Sequence, residues 1–587
     1  MIIAQFDPLE HVFDSTRGQN TFPEELHDQN ETGPLSATRQ ESTMKRPKLS
    51  LAQIYQVVYR WVRPNVESFL KLQKPKLWLL AILAGLAGAV VAIIFRYTIS
   101  LVQWLWTGTF SESFLLNVAA LPWWIVVVAP TTGGLVVGAI IHLWGPSARA
   151  GGVADAIEER ARDTPQLTLR NASIGTLISA ITLGSGGSAG REGPVVYYAA
   201  ATAKALFQAF ELPPSARRAM LASGVAAAIA ASFNAPMAGV LFAHEVILGH
   251  FSMTAFVPLV IAAVLAAVIA QAWFGPAPIF MLPDFEITSY LEVPAFALLG
   301  ITCAAVAILF QASLIGSDWI NRRVSLPTIM RPVVGGFLVG LIALAFPQVL
   351  GVGYEATEAA ISGRLDLWLM LALIVAKTVA TAITLGTRMG GGVFSPSLYL
   401  GAMTGAAFGM IVAGIAPDLA SNVGLYATIG MAAVAAAVLG APISTAIMVY
   451  ELTDGFSFSI ALLLTIGIAT GLSQAAMGHS YFFWQLFSRG VMLEEGPHTH
   501  LARQLRVRKF TLPFKEDEEV PVFDATRLWL KDTDNLETAL KSFSNSGKQR
   551  LLVTRGKDNE PIGWAYHVDA LSNFNKVLVE QSREEHY

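Results

Sequence analysis

The chain has 587 residues, of which 53% are hydrophobic and only 14% charged, whereas a soluble protein of this size carries roughly a quarter charged residues. The apolar excess must face something other than water. A net charge of −3 argues against a nucleic-acid partner, and the single cysteine, Cys303, excludes an intrachain disulfide framework.

Charge gathers at the two ends of the chain. Residues 1–75 therefore read as a cytosolic N-terminal segment, partly disordered and then a basic helix, and residues 76–492 as a membrane core. Residues 493–587 form a second cytosolic flank. The first forty residues are polar and acidic, so no secretory signal is expected. Ahead of the first apolar stretch stand Lys45, Arg46, Lys48, Arg60, Arg63, Lys71, Lys74 and Lys76. That basic run predicts a cytoplasmic N-terminus by the positive-inside bias.

Apolar stretches follow at Leu77–Phe95, Trp123–His142, Phe256–Phe274, Val293–Leu309, Val333–Ala345 and Leu367–Leu385. Others are shorter and interrupted by Gly or Pro. A straight crossing of a ~30 Å hydrocarbon core needs about 20 residues. Broken backbone at that depth survives only when buried in protein or lining a wet cavity. The interruptions therefore point to a site as well as an anchor.

The membrane core repeats itself, with repeat one at about 76–275 and repeat two at about 290–492. Thr182-Leu183-Gly184 returns as Thr384-Leu385-Gly386, and Gly190-Arg191-Glu192-Gly193-Pro194 falls opposite Gly392-Val393-Phe394-Ser395-Pro396. Asn234-Ala235-Pro236 with an apolar run to Glu245 is matched by Gly440-Ala441-Pro442 with a run to Glu451. Internal duplication with broken helices at corresponding positions is the signature of secondary transporters and related channels.

In the tail, Val522–Phe523 leads to a helix at Asn535–Phe543, a strand at Arg550–Thr554 and a turn at Lys557-Asp558-Asn559. A strand at Ile562–Tyr566 and a helix from Asp569 complete it. This order resembles a single copy of a CBS motif. With no second copy, packing or dimerisation is the expected role rather than nucleotide binding.

The chemistry lies at the broken helices. Residues 184–194 read as a glycine-rich loop running into a helix whose first turn holds Pro194, where the missing N–H costs nothing. Gly390–Pro396 has the same form. Free N–H groups and the positive end of the helix dipole gather at such starts and favour an anion. Two starts converging from opposite repeats would hold a monovalent anion by partial charges, whereas a full Lys or Arg charge would bind it too firmly for throughput. Glu192 is then a competitor: ionised it can occupy the anion's place, and protonated it should leave. The bland alternative is a structural pair with Arg191. Glu245 and Glu451 are expected to cap or bond neighbouring backbone, Lys377 to reach a helix end or a carbonyl ahead of adding positive potential to a vestibule, and Arg217 and Arg218 to lie in a loop facing the cytosol.

These two segments resemble the signature motifs of the CLC family of chloride channels and chloride/proton exchangers. The Asn234–Glu245, Gly440–Glu451 and Ser480–Gly490 segments resemble it too. The resemblance spans roughly residues 76–492. It implies an all-α polytopic membrane protein, an inverted repeat of many tilted and broken helices, with a small α+β cytosolic C-terminal segment. It further implies a homodimer in lipid with one anion pathway per subunit and Glu192 as the gating glutamate. Backbone around Arg191, Glu192, Gly193, Val393, Phe394 and Ser395 would bind chloride.

Three positions depart from the family pattern. Gly151, followed by Gly152, stands where the family's first anion loop has a serine, and Phe482 where it has a tyrosine. Two hydroxyl donors are missing from the central site, and the adjacent Tyr481 is expected to point elsewhere. Val246 occupies the position where coupled exchangers usually carry an internal glutamate, so passive conduction is expected ahead of proton-coupled exchange. His244 could serve as a relay, but a structural hydrogen bond is the plainer role. Transport of a larger organic anion is disfavoured by the lack of an arginine fork at the pore motifs. Catalysis is disfavoured by the lack of a P-loop, metal cluster or Ser–His constellation. Chloride is the expected permeant ligand, with no cofactor or metal, and a prokaryotic inner membrane the expected location.

Overall fold

A computed structural model describes residues 51–71, 74–110, 114–145, 149–162, 166–276, 280, 287–453, 457–491, 505–514, 529–556 and 560–586. Lys45, Arg46, Lys48, Val522–Phe523 and the expected turn at Lys557–Asn559 lie outside the described residues. The chain forms two compact units that meet at Ser68 and Phe69. In the first, the described part belongs to the amphipathic helix Leu51–Lys71, where Arg63 and Glu67 pair one turn apart at 2.7 Å.

The second unit is mostly helical. Among the described residues, seven helices are long and apolar enough to cross a membrane, including Lys74–Thr107, Trp123–Trp144, Met253–Phe274, Val293–Arg323, Leu367–Gly386 and Phe394–Ile415. Every long apolar stretch read from the sequence lies in a helix. Their outward faces carry exposed Leu, Ile, Val and Trp, as lipid contact requires. Lipid offers helices no hydrophobic reason to associate, so close packing of small residues has to hold them. The helix Val423–Leu439 shows it: a Cβ on Gly430 would come within 2.5 Å of the Gly401 carbonyl oxygen of the helix Phe394–Ile415.

The two repeats clasp each other through reciprocal bonds. The Thr182 hydroxyl accepts from the Gly390 N–H at 2.9 Å, and the Thr384 hydroxyl accepts from the Ser188 N–H at 3.2 Å. Glu245, in the π-helical turn Ala243–Leu248, accepts from the N–H groups of Ile443 and Ser444 at 3.1 and 2.8 Å. Glu451 accepts from Met237 and Ala238 at 2.9 and 2.7 Å. Each carboxylate thus caps a short helix, the capping role expected of it, and the helix belongs to the opposite repeat. Asn234 and Gly440, both in the left-handed region, end their helices one residue before the matching Ala-Pro. This internal symmetry brings the two signature segments together.

Two local expectations are corrected. Arg217 and Arg218 are not in a loop but inside the helix Pro214–Phe233, because Pro213 and Pro214 start it just ahead of them. In the tail, the described strands are Thr511–Leu512 (β1), Trp529–Lys531 (β2), Arg550–Arg555 (β3) and Glu560–Tyr566 (β4), in the order β1-β4-β3-β2. Neither β1 nor β2 was foreseen, since two or three residues are too few to show an alternating pattern. The tail has a core of its own around Leu530, Phe543, Leu551 and Val553, with helices Leu536–Ser546 and His567–His586.

Candidate functional site

At the centre of the membrane unit, two helices begin almost in contact. The helix Glu192–Ala209 follows Arg191, and Phe394–Ile415 follows Val393. Just before these starts, Gly190 and Gly392 exchange N–H to carbonyl hydrogen bonds of 2.7 Å in both directions. No side chain fits between them: a Cβ on Gly392 would lie 3.0 Å from the Gly193 nitrogen. Pro194 and Pro396 sit in the first turns, where they remove no helical hydrogen bond. Unused N–H groups and two dipole ends of one sign therefore face the same small volume.

Glu192 is wholly buried there. Its Oε1 accepts from the Tyr354 hydroxyl at 2.8 Å and the Ser395 hydroxyl at 2.6 Å. Arg191 stands off, with Nε 4.0 Å from that oxygen, donating instead to the Ser232 carbonyl at 3.2 Å and lying over the Tyr354 ring at 4.8 Å. Glu192 is thus not mainly the partner of Arg191. Its Oε2 has no hydrogen-bond partner among the described residues. The carboxylate reaches from the start of the first-repeat helix to the start of the second, and its negative charge suits that end of the helix dipole.

A cavity of about 520 Å³ approaches from one side. Its lining gathers Gly151, Gly152, Gly193, Val393, Phe394 and Phe482. Arg191, Glu192, Ser395 and Val246 are not part of that wall. Gly151 could not become the expected serine unaided, because its Cβ would run into the ring of Tyr197. Phe394 is clamped between Phe233 and Phe242, with ring centroids at 5.0 and 5.6 Å. Tyr481 and Phe482 both line the cavity, at the start of the short helix Tyr481–Phe487. The Tyr481 hydroxyl accepts from Gln485 at 3.1 Å.

Arginines 149, 322, 388 and 489 stand in the wall against Asp155 and Asp318. Asp155 pairs with Arg149 and, at 2.9 Å, with Arg489, and Asp318 pairs with Arg322 at 2.8 Å. Among the described residues Arg388 has no counter-ion within pairing distance. Its backbone is left-handed, φ 66°, like that of its repeat counterpart Gly186 at φ 103°. A non-glycine residue there is strained.

Val246 packs against the core away from the cavity. Nδ1 of His244 accepts from the Ser252 N–H at 3.4 Å, and its ring stacks on Phe251 at 5.6 Å. Lys377 donates to the carbonyls of Val349 and Gly351 at 3.0 and 2.9 Å, the carbonyl role expected of it. Sequence reasoning missed Tyr354 and Arg388. The left-handed Gly353 before Tyr354 marks a turn that a reader could have placed, but not its target. Arg388, standing where the first repeat has glycine, was a visible signal.

Comparison with known proteins agrees with this geometry. Residues 133–474 match the family described as voltage gated chloride channel. A ClcB-like protein of Ralstonia nicotianae, which carries a chloride-channel name, is 32% identical over 66% of this chain and 91% of its own length. Chloride channel protein CLC-f of Arabidopsis thaliana is 30% identical over 68% of this chain, which spans 54% of that longer protein. The structure of a slow cyanobacterial Cl−/H+ antiporter superposes with a TM-score of 0.64 at 22% identity, covering 71% of this chain and 98% of that one.

Proposed function

The chain belongs to the voltage-gated chloride channel family, whose members move small anions across membranes, and on that premise we propose that it conducts chloride passively with Glu192 as the gate. The observation that carries this reading is the Glu192 carboxylate lodged between two converging helix starts, held by the Ser395 hydroxyl of the opposite repeat at 2.6 Å. An anion arriving through the cavity meets the backbone of Gly193, Val393 and Phe394, where N–H dipoles replace part of its hydration shell. To pass, it must displace Glu192 or arrive when Glu192 is protonated. Gly151 and Phe482 supply no hydroxyl in between. Each absent hydrogen bond to an ion weakens binding by roughly 1.5–3 kcal/mol, which favours fast release.

A second reading, proton-coupled chloride exchange on the same fold, has one observation in its favour. The buried Nε2 of His244, two residues before Val246, has no hydrogen-bond partner among the described residues. It is a titratable group where the internal glutamate is missing.

The remaining assignments belong to the same proposal. Residues 76–492 form the transport unit of a homodimer in a prokaryotic inner membrane, flanked by cytoplasmic segments 1–75 and 493–587. The tail is a lone CBS-like packing or dimerisation module, and neither an organic cofactor nor a catalysed reaction is involved. Proteoliposomes monitored for chloride and pH together test the central reading. Chloride flux should drive no uphill proton movement, and Glu192→Gln should raise passive flux. A fixed proton-to-chloride stoichiometry selects the exchanger, and unchanged flux in folded Glu192→Gln protein removes Glu192 from its role.

A further inference from the structure

The gate is bonded to a residue outside both signature segments. Tyr354 begins the helix Tyr354–Ile361, just as Val153 begins Val153–Ala161 in the first repeat, and each helix is capped by a glycine, Gly353 or Gly152. The first-repeat loop borders the cavity; its counterpart in the second repeat reaches Glu192. On the cavity side, Gly151 and Phe482 offer no hydroxyl. On the gate side stand two, Tyr354 and Ser395, 3.2 Å apart.

Both hydroxyls donate to the same carboxylate oxygen, at 2.8 and 2.6 Å. Each has only one proton, so neither has one left for another acceptor. The tyrosine ring is fixed from two sides, with the Arg191 guanidinium over its face at 4.8 Å and Phe280 edge-on at 5.8 Å. A hydroxyl on so confined a ring cannot follow a carboxylate that swings away. Its bond has to break whenever Glu192 leaves the helix starts.

Resting on the reading of Glu192 as the gate, we propose that Tyr354 is a positioning residue that latches Glu192 in the closed position. It thereby sets how much anion is needed to displace the carboxylate. A hydrogen bond to an ionised group is worth enough to change such a competition by about ten-fold or more.

The test is chloride flux against chloride concentration in proteoliposomes, for wild type, Tyr354→Phe, Glu192→Ala and the double variant. Phenylalanine keeps the ring and its packing. The latch predicts that Tyr354→Phe lowers the chloride concentration for half-maximal flux by about ten-fold while leaving maximal flux unchanged. In the Glu192→Ala background the same change should have no effect. Replacement of Tyr354 by 3-fluorotyrosine, a stronger donor, should raise the half-saturating concentration, a shift that a packing role would not produce. An unchanged half-saturation in Tyr354→Phe, or an equal shift without Glu192, overturns the latch. Glu192→Ala that leaves flux unaltered contradicts the gate itself, a separate result.

Discussion

Arg388 stands in the cavity wall on left-handed backbone, φ 66°. The other arginines of the cavity wall are tied to Asp155 or Asp318. Arg388 is exposed and forms no ion pair among the described residues, on backbone that glycine adopts more readily. A cation of the cavity wall that is held in no ion pair raises the local anion concentration and the entry rate. Arg388→Gln is expected to lower chloride flux several-fold at low ionic strength, and the difference should close as salt shortens the screening length to about 3 Å at 1 M. A deficit that persists unchanged at high salt would mean that Arg388 acts through the fold. Electrostatics also explains why Glu192 needs no full positive partner: two hydroxyl donors and a helix dipole meet its charge, with Arg191 beyond hydrogen-bonding distance.

At the scale of elements, the site exists because two helices can start nose to nose. Glycine at 190, 193 and 392 permits that approach, and the glutamates at 245 and 451 hold the neighbouring short helices across the repeat boundary. Gly392→Ala forces a methyl group to 3.0 Å from the Gly193 nitrogen, so one start must retreat. Overpacking of this kind costs about 1–3 kcal/mol. The variant should unfold at lower temperature in detergent and lose most of its chloride flux, whereas full flux would mean that the close approach is dispensable. These breaks were legible in the sequence because Gly and Pro mark helix ends locally, and because two copies in matching order reinforce one another. Tyr354 was not legible, for its bond to Glu192 spans 162 positions and depends on how the repeats fold together.

The membrane unit places a polar, broken-helix site among apolar helices. The architecture was readable from composition, since so little charge over so many residues has few outlets other than a membrane. The clasp between the repeats, with its reciprocal Thr182–Gly390 and Thr384–Ser188 bonds, makes the centre a product of both halves at once. On the proposed gating, this shared centre is where the anion rests once Glu192 yields its place. Anomalous diffraction from crystals of Glu192→Gln protein grown in bromide tests it most directly. A bromide peak is expected within hydrogen-bonding distance of backbone N–H groups at the starts of the Glu192 and Phe394 helices. Bromide found only elsewhere, with those N–H groups bare of anion, would contradict it.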